Sequence, residues 1–434
     1  MQAMAKSYGV FEFQSRFTAM APVPTSPVPP SPVPTSPAPV YNWVFITLSA
    51  AALVSVTFGV RQIFGLFLLP ISTDIGSGLQ VFSLAIAVQN LIWGASSPFF
   101  GAIADKYGSW RVAAAGVLIY AAGLLSMVVM VNEAGLFFGQ MLIGLGLGSA
   151  GISIAIGAVA RAAPPEKRSL AMGLVTSFGS FGQFALVPVA QILMSDYGWQ
   201  FALVILSGLV ASMMAITLGM RVPAGSAPPP EGAPQTARNA LLQATTSRDY
   251  ILLTSGFFVC GLQLVFITTH LPTYLQDTGI TADIASWSLA LIGLFNIVGA
   301  FVCGWLGGVV SKKKALATVY LLRAIVIIAF ITLPPSPTMA LAFGAAMGLL
   351  WLGTIPLTSG LVLAFFGPRY LSMLYGLVFF SHQIGSFVGA WLGGIWYDVF
   401  GNYEAMWWLN AAAGLLAFAI NWAIHEPAPG AVLA

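Results

Sequence analysis

The chain is a succession of long apolar runs separated by short polar breaks. A hydrocarbon layer about 30 Å thick is crossed by about 20 apolar residues of helix. Twelve runs of about that length or longer follow one another, at 43–71, 79–104, 110–132, 134–160, 167–194, 199–221, 250–275, 284–310, 314–334, 337–366, 369–397 and 403–425. A lipid-embedded backbone must satisfy its own polar groups, so each run is predicted to be a helix. The breaks carry Gly, Pro or charge, as at Ser195–Gly198, Leu333–Pro337 and Gly367–Arg369. One longer break, 222–249, opens as a Pro- and Gly-rich linker and continues into a stretch that reads as a short amphipathic helix on the membrane surface. The expected fold is an all-α membrane protein, with twelve transmembrane helices in two six-helix bundles at 43–221 and 250–425. Residues 1–42 form a proline-rich tail suited to extended or disordered chain, and 426–434 form a short C-terminal tail. The N-terminal tail has no basic stretch running directly into an apolar one, so it does not read as a cleaved signal peptide.

Composition agrees with this pattern. Of 434 residues, 58% are hydrophobic and 7% charged, against about 25% charged in a soluble domain. This excludes a soluble enzyme and a nucleic-acid binder. The few charges are ordered. Lys106, Arg111, Arg161, Lys167, Arg168, Arg221, Arg238, Arg248, Lys312 to Lys314 and Arg369 all fall in alternate breaks, on one face. The opposite breaks carry acids, among them Asp74, Glu133, Asp196 and Asp277. Because basic loops stay inside, both termini are expected in the cytoplasm, with the chain in the cell's inner membrane. Cys260 and Cys303 sit in apolar runs and read as small core residues. No spacing of His, Cys or acids suggests a metal, and no nucleotide motif or nucleophile–base pair is present, so neither a cofactor nor an enzymatic activity is expected.

The two halves repeat. Gly101–Arg111 corresponds to Gly304–Lys314, and Gly173–Gly182 to Gly376–Gly385, at an offset of about 203 residues. Two six-helix repeats joined by a cytoplasmic linker are a transporter architecture, with the substrate site between the halves near the midplane. The first repeat segment, with Gly101, Asp105, Gly108 and Arg111, resembles the loop signature of the major facilitator superfamily. That resemblance implies a gating latch there, with Asp105 accepting backbone N–H groups at a helix N-terminus. It also implies a monomer. A finer resemblance is to the monocarboxylate porter and oxalate–formate antiporter branch. Arg168, Leu170, Ala171, Gly173 and Gly182 match its pattern at the start of the fifth helix, and Arg61 stands where monocarboxylate porters carry a lysine implicated in substrate or proton binding. The chain departs from the branch in the eighth helix. Asn296 and Ala300 occupy the places of an acid and an arginine, so the branch's proton-coupling mechanism does not carry over.

Arg61 is the most informative interior residue. A guanidinium in a bilayer costs roughly 2.5–3.5 kcal/mol on the mildest scale, and such a group by default faces a cavity or a counter-charge. No Asp or Glu lies deep in any predicted run. A carboxylate ligand would supply the missing charge through paired hydrogen bonds. His382, Gln383, Asn296, Gln183, Gln140, Gln263 and Asn90 are further candidates to line the substrate cavity, each also readable as interhelical polar packing. His270, one turn from the helix-kinking Pro272, is a candidate outer-gate residue. Arg323 reads better as a packing residue than as a ligand contact. The leading expectation is a secondary transporter of a small organic anion, a monocarboxylate or short dicarboxylate, by proton symport or anion exchange. The alternative is a drug or metabolite exporter, which the lack of membrane-embedded acids disfavours.

Overall fold

In a computed structural model the described residues are 42–164, 167–221, 237–367 and 371–427. The tails, the first part of the central linker and the side chains of Asp105 and Arg168 lie outside them. Fifteen α-helices, and no strand among the described residues, make up the fold. The first spanning run is a broken pair, α1 (Trp43–Gln62) and α2 (Phe64–Ile75). Then come α3 (Leu79–Tyr107), α4 (Ser109–Val129), and a second broken pair, α5 (Glu133–Ala150) and α6 (Ile152–Ala162). α7 (Arg168–Thr217) holds the fifth and sixth passes, which part at Gly198, where φ is +84°. Only glycine adopts that backbone freely. The linker contains a short helix, α8 (Ala237–Thr246). The second half follows as α9 (Arg248–Asp277), α10 (Ala282–Val309), α11 (Lys312–Thr332), the broken pair α12 (Pro337–Leu349) and α13 (Thr354–Phe366), α14 (Leu371–Phe400) and α15 (Glu404–Trp422). Ten of these stretches are long and apolar enough to cross a membrane; the longest, Leu170–Met220, contains the bend at Gly198, and α15 adds a further pass. The result is the twelve-pass all-α fold that the apolar runs predict.

The helices pack in two sets. α1 lies on α7, α3 on α5, and α4 on α5 and α7; in the second half α14 lies on α9, α10 on α12, and α11 on α15. Lipid tails are as apolar as leucine, so close packing rather than water exclusion holds such helices together. Gly182 of α7 lies directly on the Ser55 carbonyl of α1, an approach that any side chain would block. The second half is filled by an aromatic cluster, with Trp407 fully buried against Phe266, Phe330 and Phe343.

The halves meet where α3 lies on α14, α10 on α7 and α2 on α9. These contacts concentrate away from the basic face. Gly78, Ser83 and Gly94 of α3 touch Asp398, Gly394 and Gln383 of α14. Nearer the basic loops, Gly101 on α3 and Gly376 on α14 have open space beside them, and Phe99 is 71% exposed. The molecule is thus closed at its acidic face.

Candidate functional site

Arg61 is the penultimate residue of α1, two before Ile63, where α1 breaks from α2. A cation in the last turn of a helix is favoured by the carbonyl end of the dipole. The break tightens locally, with Leu66 N–H donating to the Ile63 carbonyl at 2.8 Å. From this junction the half-buried guanidinium reaches α3. Its Nη2 donates to Asn90 Oδ1 at 2.8 Å, and its plane lies 5.0 Å from the Trp93 ring centre. Asn90 is oriented in turn by donating to the Ile86 carbonyl at 2.8 Å. Arg61 Nε is buried and has no acceptor.

Arg61 lines a small cavity of about 10 Å³ with Phe64, Gln89 and Asn90 from the first half and Thr268 and Thr269 of α9 from the second. That is room for about one water. Gln89 Nε2 is also buried there without an acceptor. One residue away, Gln62 Oε1 accepts from Gln183 Nε2 at 3.3 Å, while Gln62 Nε2 is unpartnered. Gln183 Oε1 is a buried acceptor without a donor, so in this cluster three unpartnered donors, Arg61 Nε, Gln62 Nε2 and Gln89 Nε2, stand against one unpartnered acceptor. Every acid in a described membrane-crossing helix, apart from Asp105, stands within the first or last turn of its helix or, for Asp196, two residues before the bend of α7 at Gly198.

Arg61 and Asn90 share the cavity, and Gln183 stands behind it. The other candidates lie on the seams or inside the halves. Asn296 Nδ2 donates to Ser180 Oγ of α7 at 2.8 Å across the halves, and its Oδ1 accepts Leu352 N–H at 2.9 Å in the break between α12 and α13. Gln383 lies against Gly94 on the α3–α14 seam. His382 is buried beside Ser386 and Gln383, each 3.4 Å from its Nδ1, and stacks on Phe379. Phe379 packs on Trp93, so a row of rings links His382 to the floor beneath Arg61. Gln140 contacts Met127 Sδ at 3.8 Å within the α4–α5 interface, and Gln263 donates to the Asn410 carbonyl at 2.9 Å between α9 and α15.

His270 is fully buried in the second half. Its Nδ1 is 3.0 Å from the Tyr403 hydroxyl and its Nε2 is 2.8 Å from the Ala390 carbonyl. The carbonyl can only accept, which puts the proton on Nε2 and leaves Nδ1 to accept from Tyr403. In the loop signature, Gly101 stands free, Gly108 takes φ +96° before α4, and exposed Arg111 lies beside Trp110, as does Arg221. Sequence reasoning passed over Thr268, Thr269, Trp93 and Gln62. The run Thr268–His270 is a visible polar interruption of an apolar segment; Trp93 carries no such signal.

Arg323 is the other buried arginine. Its Nε and Nη2 donate to the Leu350 carbonyl at 3.0 and 2.7 Å, Nη2 also donates to the Trp351 carbonyl, and Nη1 approaches Cys260 Sγ at 3.4 Å. The freed carbonyls of the α12–α13 break are thus held by Arg323 and a freed N–H by Asn296.

Two helical sets closed over a small polar cavity that both line define a multi-pass membrane transporter. The family model described as Major Facilitator Superfamily matches residues 49–282 and 253–433, and the chain belongs to that superfamily. It is 25% identical over 361 residues to the uncharacterized MFS-type transporter YcxA of Bacillus subtilis, covering 79% of this chain and 85% of that one. It is 27% identical over 388 residues to monocarboxylate transporter 13 of Bos taurus, covering 87% of each. Monocarboxylate transporter 11 of Homo sapiens is 24% identical over 420 residues, covering 92% of this chain and 84% of the human protein. Among solved structures, a bacterial homolog of the human lysosomal transporter Spinster, inward-facing and unoccupied, shares the fold at a TM-score of 0.69 and 14% identity, covering 89% of this chain and 95% of that one.

Proposed function

We propose that the protein carries a small organic anion bearing a carboxylate, by alternating access, with Arg61 as the anion-binding residue. The observation that carries this reading is the incomplete hydrogen bonding of Arg61 at a cavity shared by both halves. An ammonium is a point charge, whereas a guanidinium presents a planar fork that fits a carboxylate. Asn90 takes one arm of the fork and leaves Nε for the ligand. Phe64 and Thr268 and Thr269 supply a wall that is partly apolar and partly hydroxylic, suited to a short carbon chain with one further oxygen. Its similarity to monocarboxylate transporters of Bos taurus and Homo sapiens supports the same reading. At about 10 Å³ the cavity admits no substrate in its present form; rocking of the halves enlarges it.

No carboxylate side chain lines the cavity to carry a proton, which favours exchange of one anion for another. Proton symport is the second reading, supported by the row of rings from Arg61 through Trp93 and Phe379 to the imidazole of His382. Uptake of labelled lactate, pyruvate, oxalate, formate and benzoate into proteoliposomes tests both, beside a neutral sugar and a lipophilic dye. Arg61→Ala is expected to lower carboxylate uptake at least about a hundredfold, the loss of a buried charge-assisted pair. Stimulation by a counter-anion loaded inside supports exchange; stimulation by an inward proton gradient that His382→Gln abolishes supports symport. Carboxylate uptake unchanged in Arg61→Ala, or movement of the dye alone, overturns the anion site and favours the exporter.

A further inference from the structure

The acidic face is closed by one side chain that reaches from the second half into the first. Asp398 lies near the C-terminal end of α14. Its Oδ1 accepts Leu79 N–H at 2.9 Å and its Oδ2 accepts Gln80 N–H at 2.8 Å, the first two amides of α3. These amides have no partner within their own helix and sit at its positive end. Gly78, the N-cap residue, offers no side chain to satisfy them, and it lies so close to Asp398 that a Cβ there would strike the carboxylate. The first half has thus given up its own cap and accepts one from the second. Beneath it, Gly394 of α14 rests on Gln80 and Ser83.

The repeat supplies an internal control. The positions 203 residues from Leu79 and Asp398 are Ala282, which opens α10, and Ser195, in α7. These stand on the other seam between the halves. Asp196, the acid beside Ser195, is turned to solvent and accepts from the Ser195 hydroxyl at 3.2 Å. Thr281 gives α10 no side-chain cap bond. Between Ser195 and Ala282 lies a cavity of about 290 Å³ instead of a bond. One seam of the acidic face is tied by a carboxylate and the other is slack.

We propose that Asp398 is the latch of the acidic-face gate: its two bonds to the N-terminus of α3 hold that face shut, and they must break each time the transporter opens there. The carboxylate has a partner only in the closed state, so it biases the equilibrium between the two open forms. At the level of the acidic face the opposite seam has a gap in place of a bond, its α10–α7 bond from Asn296 to Ser180 lying deeper, so release of the Asp398 tie lets the halves separate at that face. The proposal does not depend on which substrate is carried.

Spin labels at Val131→Cys and Pro334→Cys, exposed loop positions on the acidic face of each half, report the opening. The native Cys260 and Cys303 are buried and stay in place. Distances measured by double electron–electron resonance in detergent or nanodiscs are compared for four proteins. Asp398→Asn keeps the shape but removes the charge, and charge-assisted hydrogen bonds are roughly twice as strong as neutral ones. It is expected to raise the ratio of long to short distances on the order of tenfold. Gly78→Ala, made in the other half, is expected to act in the same direction, and the double variant to go no further than the stronger single one. Asp398→Asn eluting as folded, monodisperse protein with an unchanged distance distribution would overturn the latch. So would additive effects of the two substitutions, which would show that the residues do not act on one contact.

Discussion

Two arginines within the described spanning helices, Arg323 and Arg61, differ in how completely they are bonded. Arg323 spends its guanidinium on the carbonyls of Leu350 and Trp351 and on Cys260, and it is fully buried. Arg61 gives one arm to Asn90, leaves Nε without an acceptor and borders a cavity. Neither has an acid at its side. The difference separates a charge used to close the backbone from the charge proposed to meet a ligand. The repeat supports the first assignment. Thr57 and Tyr120 of the first half stand 203 residues before Cys260 and Arg323, and the Tyr120 hydroxyl donates to the Thr57 carbonyl at 3.2 Å. Both halves tie the same two positions together, once by a phenol and once by a guanidinium. Arg61 has Leu264 as its counterpart, so nothing in the second half repeats it.

The largest expected effect tests the saturated member. Arg323→Leu fills much of the volume but leaves the carbonyls of the α12–α13 break without donors. A buried unsatisfied polar group costs about 1–3 kcal/mol, so a loss of about 3 kcal/mol is expected across the two. It is read as a lowered melting temperature in detergent and a lower yield of monodisperse protein. Arg323→Lys should recover only part of it, because one ammonium cannot copy the planar fork. A fully stable Arg323→Leu protein that fails only in transport would break the comparison and move Arg323 into the substrate path.

The opposite pattern is expected at Arg61. Removing a charge that is only half satisfied exchanges little lost bonding for less desolvation. Arg61→Ala should therefore melt within about 1 kcal/mol of wild type, or slightly above it, while carboxylate uptake collapses. Arg61→Lys keeps the charge without the two-pronged geometry, and uptake should fall about tenfold. A large loss of stability in Arg61→Ala would make it a second structural arginine.

How these roles divide was only partly legible in the sequence. Helix number follows from apolar run length, because the bilayer fixes it. That Arg61 is exceptional also follows, since a lone charge in a long apolar run has few explanations. Partners are another matter. Gln140 and Gln263 look no different from Asn90 in sequence, yet they bind within their own halves, to Met127 and the Asn410 carbonyl. Helical spacing gives a face, and two helices pack at a register that the pattern does not encode. The helix breaks after Gln62, at Gly151 and at Leu350–Gly353 were equally hidden, because each lies within an unbroken apolar run. An acid on a helix N-terminus was expected at Asp105, whose side chain lies outside the described residues; bonds of that kind are made by Asp398 at the opposite face.

A third charge completes the comparison at its weak end. Glu426 follows α15 and caps α11, accepting from the Ser311 hydroxyl at 2.5 Å and the Lys312 and Lys313 N–H groups at 3.1 and 3.2 Å, with the Lys312 ammonium 3.7 Å away. Burial pushes its carboxyl up, but these bonds outweigh it and hold the group below the ordinary glutamate range. It is as fully bonded as Arg323, yet it lies beyond the spanning helices, at the end of α11 that carries Lys312 to Lys314. Its folded-state pKa is the lower one, so its contribution is complete above the unfolded value of about 4.3 and fades as pH falls through the folded value. The pair is only partly buried and is screened by water and salt, so Glu426→Gln should cost less than about 1 kcal/mol at pH 7. The difference between Glu426→Gln and wild-type melting temperatures should shrink as the pH is lowered below 4. A cost at pH 7 as large as that of Arg323→Leu would mean that saturation alone sets the worth of a charge here. A small one leaves the surrounding solvent, lipid or water, as the deciding factor.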